Sequence, residues 1–501
     1  MGAFPASELL NSKTKPETNN MQNTNKKKIC IWGGGWAGLT AALELSESDQ
    51  CEVHLFEASE KWGGKVTGTK MEDGTLSTHA IRLISDYYPA FADVCSRVPV
   101  GENGSLLDRW SPVEFFNFSV LRTKQKFHCI SRQKDETLLG TIQLYWALRT
   151  TFRLKVRDVY NVYKAIKRFR SLNEAQIVEL EKEGTSVLEY LGKGKLSPAA
   201  EDFLFTYLGI TVAARPTSMA SMSMDLMSKM FVGVKRSKHL EGERYRNYRS
   251  WVVDGPMGDR LIPPFVAFLK KRNVLMRTNT PLVKLETSGD YQKPVAHLAN
   301  GEKIEADAHI LALNNKVIEK LGFGRPGKPL DNEWSIGASF PLEVVPPSLQ
   351  QFDRKSITAI MDAPWGVVAV VWYRQEDGGL WSDEVDFSDT APQHMEVVAS
   401  RLEEKGTNGK TFFECDPQEA AEELLVQIGI EKEFITELAA KVRFSENLDY
   451  VKEEDKEGPF EYGSDDPNIF RWRLHAPIYT ASENSPPLDI KTSMAGVYLC
   501  G

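Results

Sequence analysis

Residues 28–65, KICIWGGGWAGLTAALELSESDQCEVHLFEASEKWGGK, leave few folds open to this chain. Residues 29–32 are a short apolar run, as a strand buried on both faces requires. Gly33, Gly35 and Gly38 follow directly in the spacing G-x-G-x-x-G, with Gly34 between the first two. The first glycine permits a tight turn. The second lets a pyrophosphate approach the backbone, and the third lets the next helix pack close to the strand. That helix, residues 36–46, opens with Trp36, Ala37 and Gly38 and offers its free N–H groups and positive dipole end to phosphate. A second strand, residues 53–56, runs into Glu57, 19 residues past Gly38. An acid there can bind ribose hydroxyls. A glycine-rich turn without a ligand is the alternative, but it does not explain why an acid ends an apolar strand. Adenine-dinucleotide binding is the expectation.

At 501 residues the chain is too long for one ordinary core, so two domains or more are expected. The net charge of −8 argues against a general nucleic-acid binder. Six cysteines (Cys30, Cys51, Cys95, Cys129, Cys415 and Cys500) form no C-x-x-C and no metal-ligand spacing. They read as reduced thiols of a cytoplasmic protein, and no metal is expected. No apolar run reaches the ~18 residues of a membrane span. The first 27 residues are polar and lack an apolar signal core, and Ala6 stands where a myristoylation signal wants Ser or Thr. They read as a disordered arm.

The run from Glu57 and Ala58 to Gly63, Gly64 and Lys65 resembles the E-x5-G-G-R/K signature of FAD-dependent amine oxidases and phytoene-desaturase-type flavoproteins. The resemblance implies FAD, with the glycine pair and the base after it along the flavin diphosphate. Lys65 stands where the family usually has arginine, which keeps the charge but loses the bidentate fork. In the family the next segment lies beside the isoalloxazine ring, so His79 and Arg82 are implied as polar groups near the flavin. Residues 253–286 resemble the family's glycine turn, helix, strand and second strand, with Val283 at the position whose backbone meets adenine. Residues 305–313 resemble the strand that returns to the nucleotide domain. Residues 495–501 resemble the last flavin-binding fingerprint. The family's acid after that glycine, and the helix that follows, lie beyond Gly501. The expectation drawn from this is a cut gene product or weaker FAD retention.

The remaining chain is less specific. Residues 115–130 read as two strands around a basic turn. Residues 141–171 read as one long helical pattern, basic and aromatic. It is either a membrane-surface element, which makes the protein a peripheral membrane one, or a solvated helical hairpin. Met219, Met222, Met224, Met227 and Met230 suit a core or a substrate-tunnel wall. Residues 357–361 and 367–373 read as strands, and 416–428 as a capped amphipathic helix. Trp472, His475 and Tyr479 either line a pocket or pack.

The chain is thus expected to be a two-domain α/β flavoprotein. A Rossmann-like FAD-binding domain, discontinuous in sequence, takes residues 28–100, 251–330 and 485–501. A mixed α+β substrate domain takes 101–250 and 331–484. The implied activity is hydride transfer from a small-molecule substrate C–H to flavin N5, with an apolar or isoprenoid-like substrate. An amine oxidase, a redox-neutral flavin isomerase and a catalytically impaired binding protein are the alternatives.

Overall fold

A computed structural model describes residues 26–501 apart from 131–145, 181–188, 191–195, 205–236, 288–292, 324–331, 386–392, 451–471, 480–491 and shorter stretches that include 71–75, 78–80 and 501. The arm, the methionine-rich stretch, His79, His475 and Gly501 lie outside the described residues.

The glycine-rich stretch forms β1 (Lys27–Trp32), α1 (Trp36–Ser46) and β2 (Cys51–Phe56). These strands join a five-stranded parallel sheet. Its order is Leu275–Arg277, β2, β1, Ala308–Leu311, Val497–Leu499. Three separated parts of the chain therefore build one sheet. Successive side chains of β1 go to opposite faces, and both faces are buried. Ile29 and Ile31 pack with Leu39, Leu43 and Phe265, from α1 and the helix Met257–Lys271. Cys30 and Trp32 pack with Leu285 and Leu298 of a three-stranded antiparallel sheet on the other side. This is why the strand reads as an unbroken apolar run rather than an alternating one. Burial also pushes the Cys30 thiol up to about 12, so it stays protonated and inert.

The second body is a seven-stranded sheet. Its order is Gln125–Ile130, Phe115–Val120, Ser356–Ile360, Val367–Trp372, Gln393–Ala399, Ile336–Leu342, Arg443–Phe444. One face is covered by the helices Pro417–Ile428 and Lys432–Ala440 around Phe340, Met395, Phe412 and Leu424. The first of these helices starts with a reciprocal cap. Asp416 Oδ1 accepts from Glu419 N (2.8 Å), and Asp416 N donates to Glu419 Oε2 (3.2 Å). The other face carries Trp372, which stacks on Trp381 at 4.8 Å, and packs against Ile81 and Leu83 of the first body. Ion pairs reinforce the junction. Arg260 grips Asp254 through two 2.9 Å bonds and reaches Glu384 at 3.1 Å, where Arg109 also binds at 3.1 Å.

The expected single helix over 141–171 is broken. Trp146 and 149–150 are helical, residues 152–155 are not, and α2 (Val156–Arg170) begins after them. Arg153 turns the chain at φ 54°, and Phe152 leaves the helix path to pack on Phe203 at 4.8 Å.

One buried polar contact fixes the centre of the parallel sheet. Trp32 Nε1 donates to His309 Nδ1 (2.9 Å), and His309 Nε2 donates to Pro294 O (3.0 Å). Both ring nitrogens are used, and only the neutral ring can use them this way. Burial lowers the imidazole from 6.5 to about 4. The unfolded chain takes up this proton below 6.5 while the folded chain resists until about 4, so stability falls as pH drops through that window. The expected loss is about 3 kcal/mol. Denaturant titrations at pH 7 and pH 4 should show His309→Gln losing less stability between the two than the parent chain, by about that amount.

Candidate cofactor site

The site grows from the end of β1. Gly33 takes φ 105°, which lets its amide donate to Phe56 O (2.8 Å) while the chain turns towards α1. A Cβ on Gly38 would stand 1.9 Å from Gly33 O, so only glycine lets the helix sit this close to the turn. Gly35 is the N-cap of α1 and, having no side chain, makes no cap hydrogen bond to the amides of its first turn, Trp36 and Ala37. Trp36 itself is wedged between Phe91 (4.6 Å) and Phe265 (5.3 Å) and fixes the start of the helix.

The two glycine motifs meet. Gly63 N donates to Gly34 O (2.9 Å), and Gly35 and Gly63 pair as a parallel bridge. Gly64, at φ 56°, lies against Gly35. A Cβ on Gly35 would fill the cradle between them with nothing nearer than 3.7 Å. A backbone-lined space at a helix N-terminus is what a diphosphate needs, so these residues fit the group.

Glu57 closes one end. Its Oε2 accepts from Gly34 N (2.7 Å), and its Oε1 accepts from Ser59 N and Ser59 Oγ (both 2.9 Å). Ala58 is exposed between them. Thr280 N donates to Glu57 O (2.9 Å), which brings the turn before Val283 beside the acid. Val283 is 58% exposed, and the ladder steps over it: Leu282 pairs with Leu298 and Lys284 with His297. Val283 lies within the strand at an irregularity of the ladder and is not itself paired with a neighbouring residue.

Lys65 and Arg82 close the other end. Arg82 Nη2 donates to Lys65 O (2.8 Å). Burial, and the nearby Arg82 guanidinium, lower the Lys65 amine to about 8. Burial lowers Arg82 too, and the Glu396 carboxylate opposes that shift. Glu396 is buried on the seven-stranded sheet, where its Oε2 accepts from Trp372 Nε1 (3.0 Å). The arginine therefore sits at the seam between the two bodies.

The structure brings together Gly33, Gly34, Gly35, Trp36, Ala37, Gly38, Glu57, Gly63, Gly64, Lys65 and Arg82, with Val283 on the strand that follows the turn beside Glu57. His79 and Gly501 lie outside the described residues, but Cys500 shows where the last strand leads. Its amide donates to Leu311 O (3.0 Å), and its Sγ lies 3.8 Å from Ala37 O, at the start of α1. Sequence reasoning missed Glu396 and Trp62. The Trp62 ring lies where a Cβ on Gly34 would be, at 2.3 Å. Its place just before the glycine pair was the available signal; Glu396 had none.

The family model for flavin containing amine oxidoreductase matches residues 36–426. The 15-cis-phytoene desaturase of Arabidopsis thaliana is 22% identical over 306 residues, 59% of this chain and 49% of that protein. That of Solanum lycopersicum is 23% identical over 307 residues, 60% and 48%. The chain spans about half the length of the curated relatives it matches. A structure of wild-type putrescine oxidase bound to putrescine superposes with a TM-score of 0.54 at 14% identity, covering 95% of this chain and 93% of that one. An oxidoreductase from Methanosarcina mazei gives 0.53 at 13%, covering 94% of each. At such identity the likeness is one of fold.

Lys65 gives the site a pH signature. Below about 8 its amine is charged. Above that, binding must first bring a proton back, so affinity for an adenine dinucleotide should fall as pH rises from 7 to 9.5. Calorimetry should find the fall abolished in Lys65→Arg. Lys65→Met should bind about tenfold more weakly at pH 7.

Proposed function

The chain belongs to the flavin-containing amine oxidoreductase family, and on that premise we propose that it is an FAD-dependent oxidoreductase acting on an apolar small molecule. The observation that carries the reading is the cradle in which the uncapped start of α1 meets the Gly63–Gly64 pair. In this reading the cradle holds the diphosphate, Glu57 the ribose, and the Val283 backbone the adenine. Lys65 neutralises phosphate charge, and Arg82 lies towards the flavin ring; His79 is assigned beside it from the sequence resemblance alone. When bound, FAD supplies the redox chemistry by taking a hydride from a substrate C–H.

The chain's own residues supply orientation and electrostatics. A guanidinium beside the ring favours the negative charge of a reduced flavin. Glu396 keeps Arg82 charged within a buried seam. The apolar face around Trp372 and Trp381, packed against Ile81 and Leu83, excludes water next to that cation. The similarity to phytoene desaturases supports an apolar substrate over an amine. We assign residues 28–100, 251–330 and 485–501 to the FAD-binding domain, and 101–250 and 331–484 to the substrate domain. Among the described residues no helix is long and apolar enough to cross a membrane. The inert thiols fit the cytoplasmic location proposed for it.

Absorbance of the purified chain, before and after adding FAD, tests the cofactor. Bands near ~375 and ~450 nm are expected. Gly35→Ala should stay folded, because its Cβ meets nothing nearer than 3.7 Å, yet should bind FAD at least about tenfold more weakly because the methyl fills the cradle. A chain that takes up no FAD sinks the proposal. Anaerobic bleaching of the ~450 nm band by a polyene, but not by a diamine, would support the substrate class; the reverse would overturn it.

A further inference from the structure

A second surface, remote in sequence from the glycine motifs, has a chemistry of its own. α2 is anchored by Val159 and Val162, which are buried, and by Leu154 just before it. Its outward arc is not the usual solvated face. Val156, Tyr160 and Tyr163, spaced i, i+4 and i+7, are 54%, 61% and 55% exposed. Trp146, just before the break, is 59% exposed. Lys167 continues the stripe at i+11, and Arg157, Lys164 and Arg168 flank it, all exposed. Arg168 is held in place over the Tyr190 ring, 4.4 Å from its centroid. Asp158 is the one acid in the helix sequence, and it is turned inwards, where its Oδ2 accepts from Lys155 N (3.0 Å). Among the described residues of this helix the exposed arc is therefore cationic and aromatic, on a chain whose net charge is −8.

We propose that this arc of α2 docks on an anionic lipid surface. Tyrosine and tryptophan place an apolar ring and a polar tip at headgroup depth. Lysine and arginine extend past them to phosphate while their stems stay on the apolar boundary. The chain's net negative charge opposes non-specific attraction to such a surface and favours contact through this cationic arc. Each base near the surface contributes about a fivefold gain in partition. The pairing of exposed aromatic rings with lysine and arginine on one stripe favours an anionic lipid plane, which offers an apolar boundary and phosphate together. The proposal is independent of the flavin reading.

The test is co-sedimentation of the full chain with vesicles of phosphatidylcholine alone and of phosphatidylcholine mixed with phosphatidylglycerol, at low and high salt. Binding to the mixed vesicles only, weakened by salt, is expected. The double charge reversal K164E/K167E should cut it by at least about tenfold. Y160S/Y163S should cut it at both salt concentrations, with far-ultraviolet dichroism and thermal unfolding unchanged in each variant. Equal binding to neutral vesicles, unchanged binding in K164E/K167E, or no binding to either vesicle would overturn the proposal. Retention on immobilised polyglutamate without vesicle binding would instead mark an acidic partner.

Discussion

The hydrogen bond from Gly63 N to Gly34 O joins two turns that lie far apart along the path of the chain. One ends β1; the other, at Gly63, comes seven residues after β2 ends at Phe56. A Cβ on Gly34 would meet the Trp62 ring at 2.3 Å and one on Gly63 would meet Val66 O at 2.8 Å, so both positions suit glycine, and the contact also needs β1 and β2 side by side in register. That register, Ile29 with Val53 through Trp32 with Phe56, is set in turn by burial of both sheet faces. The cradle is thus a consequence of the sheet. A shift of one residue in β1 would exchange its two buried faces and separate the turns.

The parts of the fold that could be read in the sequence are those whose causes are local. Helix α1 has the bounds expected for it, because the glycine turn and the apolar spacing mark both ends. The hairpin at 115–130 was legible from its basic turn, and the helix after Asp416 from its cap. The break at 152–155 was not legible. No glycine or proline marks it, and its cause is the packing of Phe152 on Phe203, fifty residues on. His309 looked like one more residue in an apolar strand; its role depends on Trp32 across the sheet.

The candidate site divides in the same way. The glycines, Glu57 and Lys65 are a contiguous signal, since one strand–turn–helix–strand unit places them. Val283 rested on resemblance, and the ladder is irregular where it lies. Arg82 was singled out without a partner in view. Its counter-charge, Glu396, comes from the other sheet, and no local pattern could connect them.

Lys65 and Arg82 show why a site of this kind must be assembled by a whole fold. Two cations held together in a half-buried seam repel each other, and burial disfavours the charge on both. Glu396 offsets this for the arginine and accepts from Trp372 Nε1 on its own sheet. The lysine is left as the group that yields, with its amine lowered into the physiological range while the guanidinium stays charged. An arginine at position 65 could not yield by losing its proton. A phosphate anion placed against Lys65 would offset the repulsion and restore its charge together. Anion binding there, proton uptake at Lys65 and the stability of the seam between the two sheets would then form one linked equilibrium.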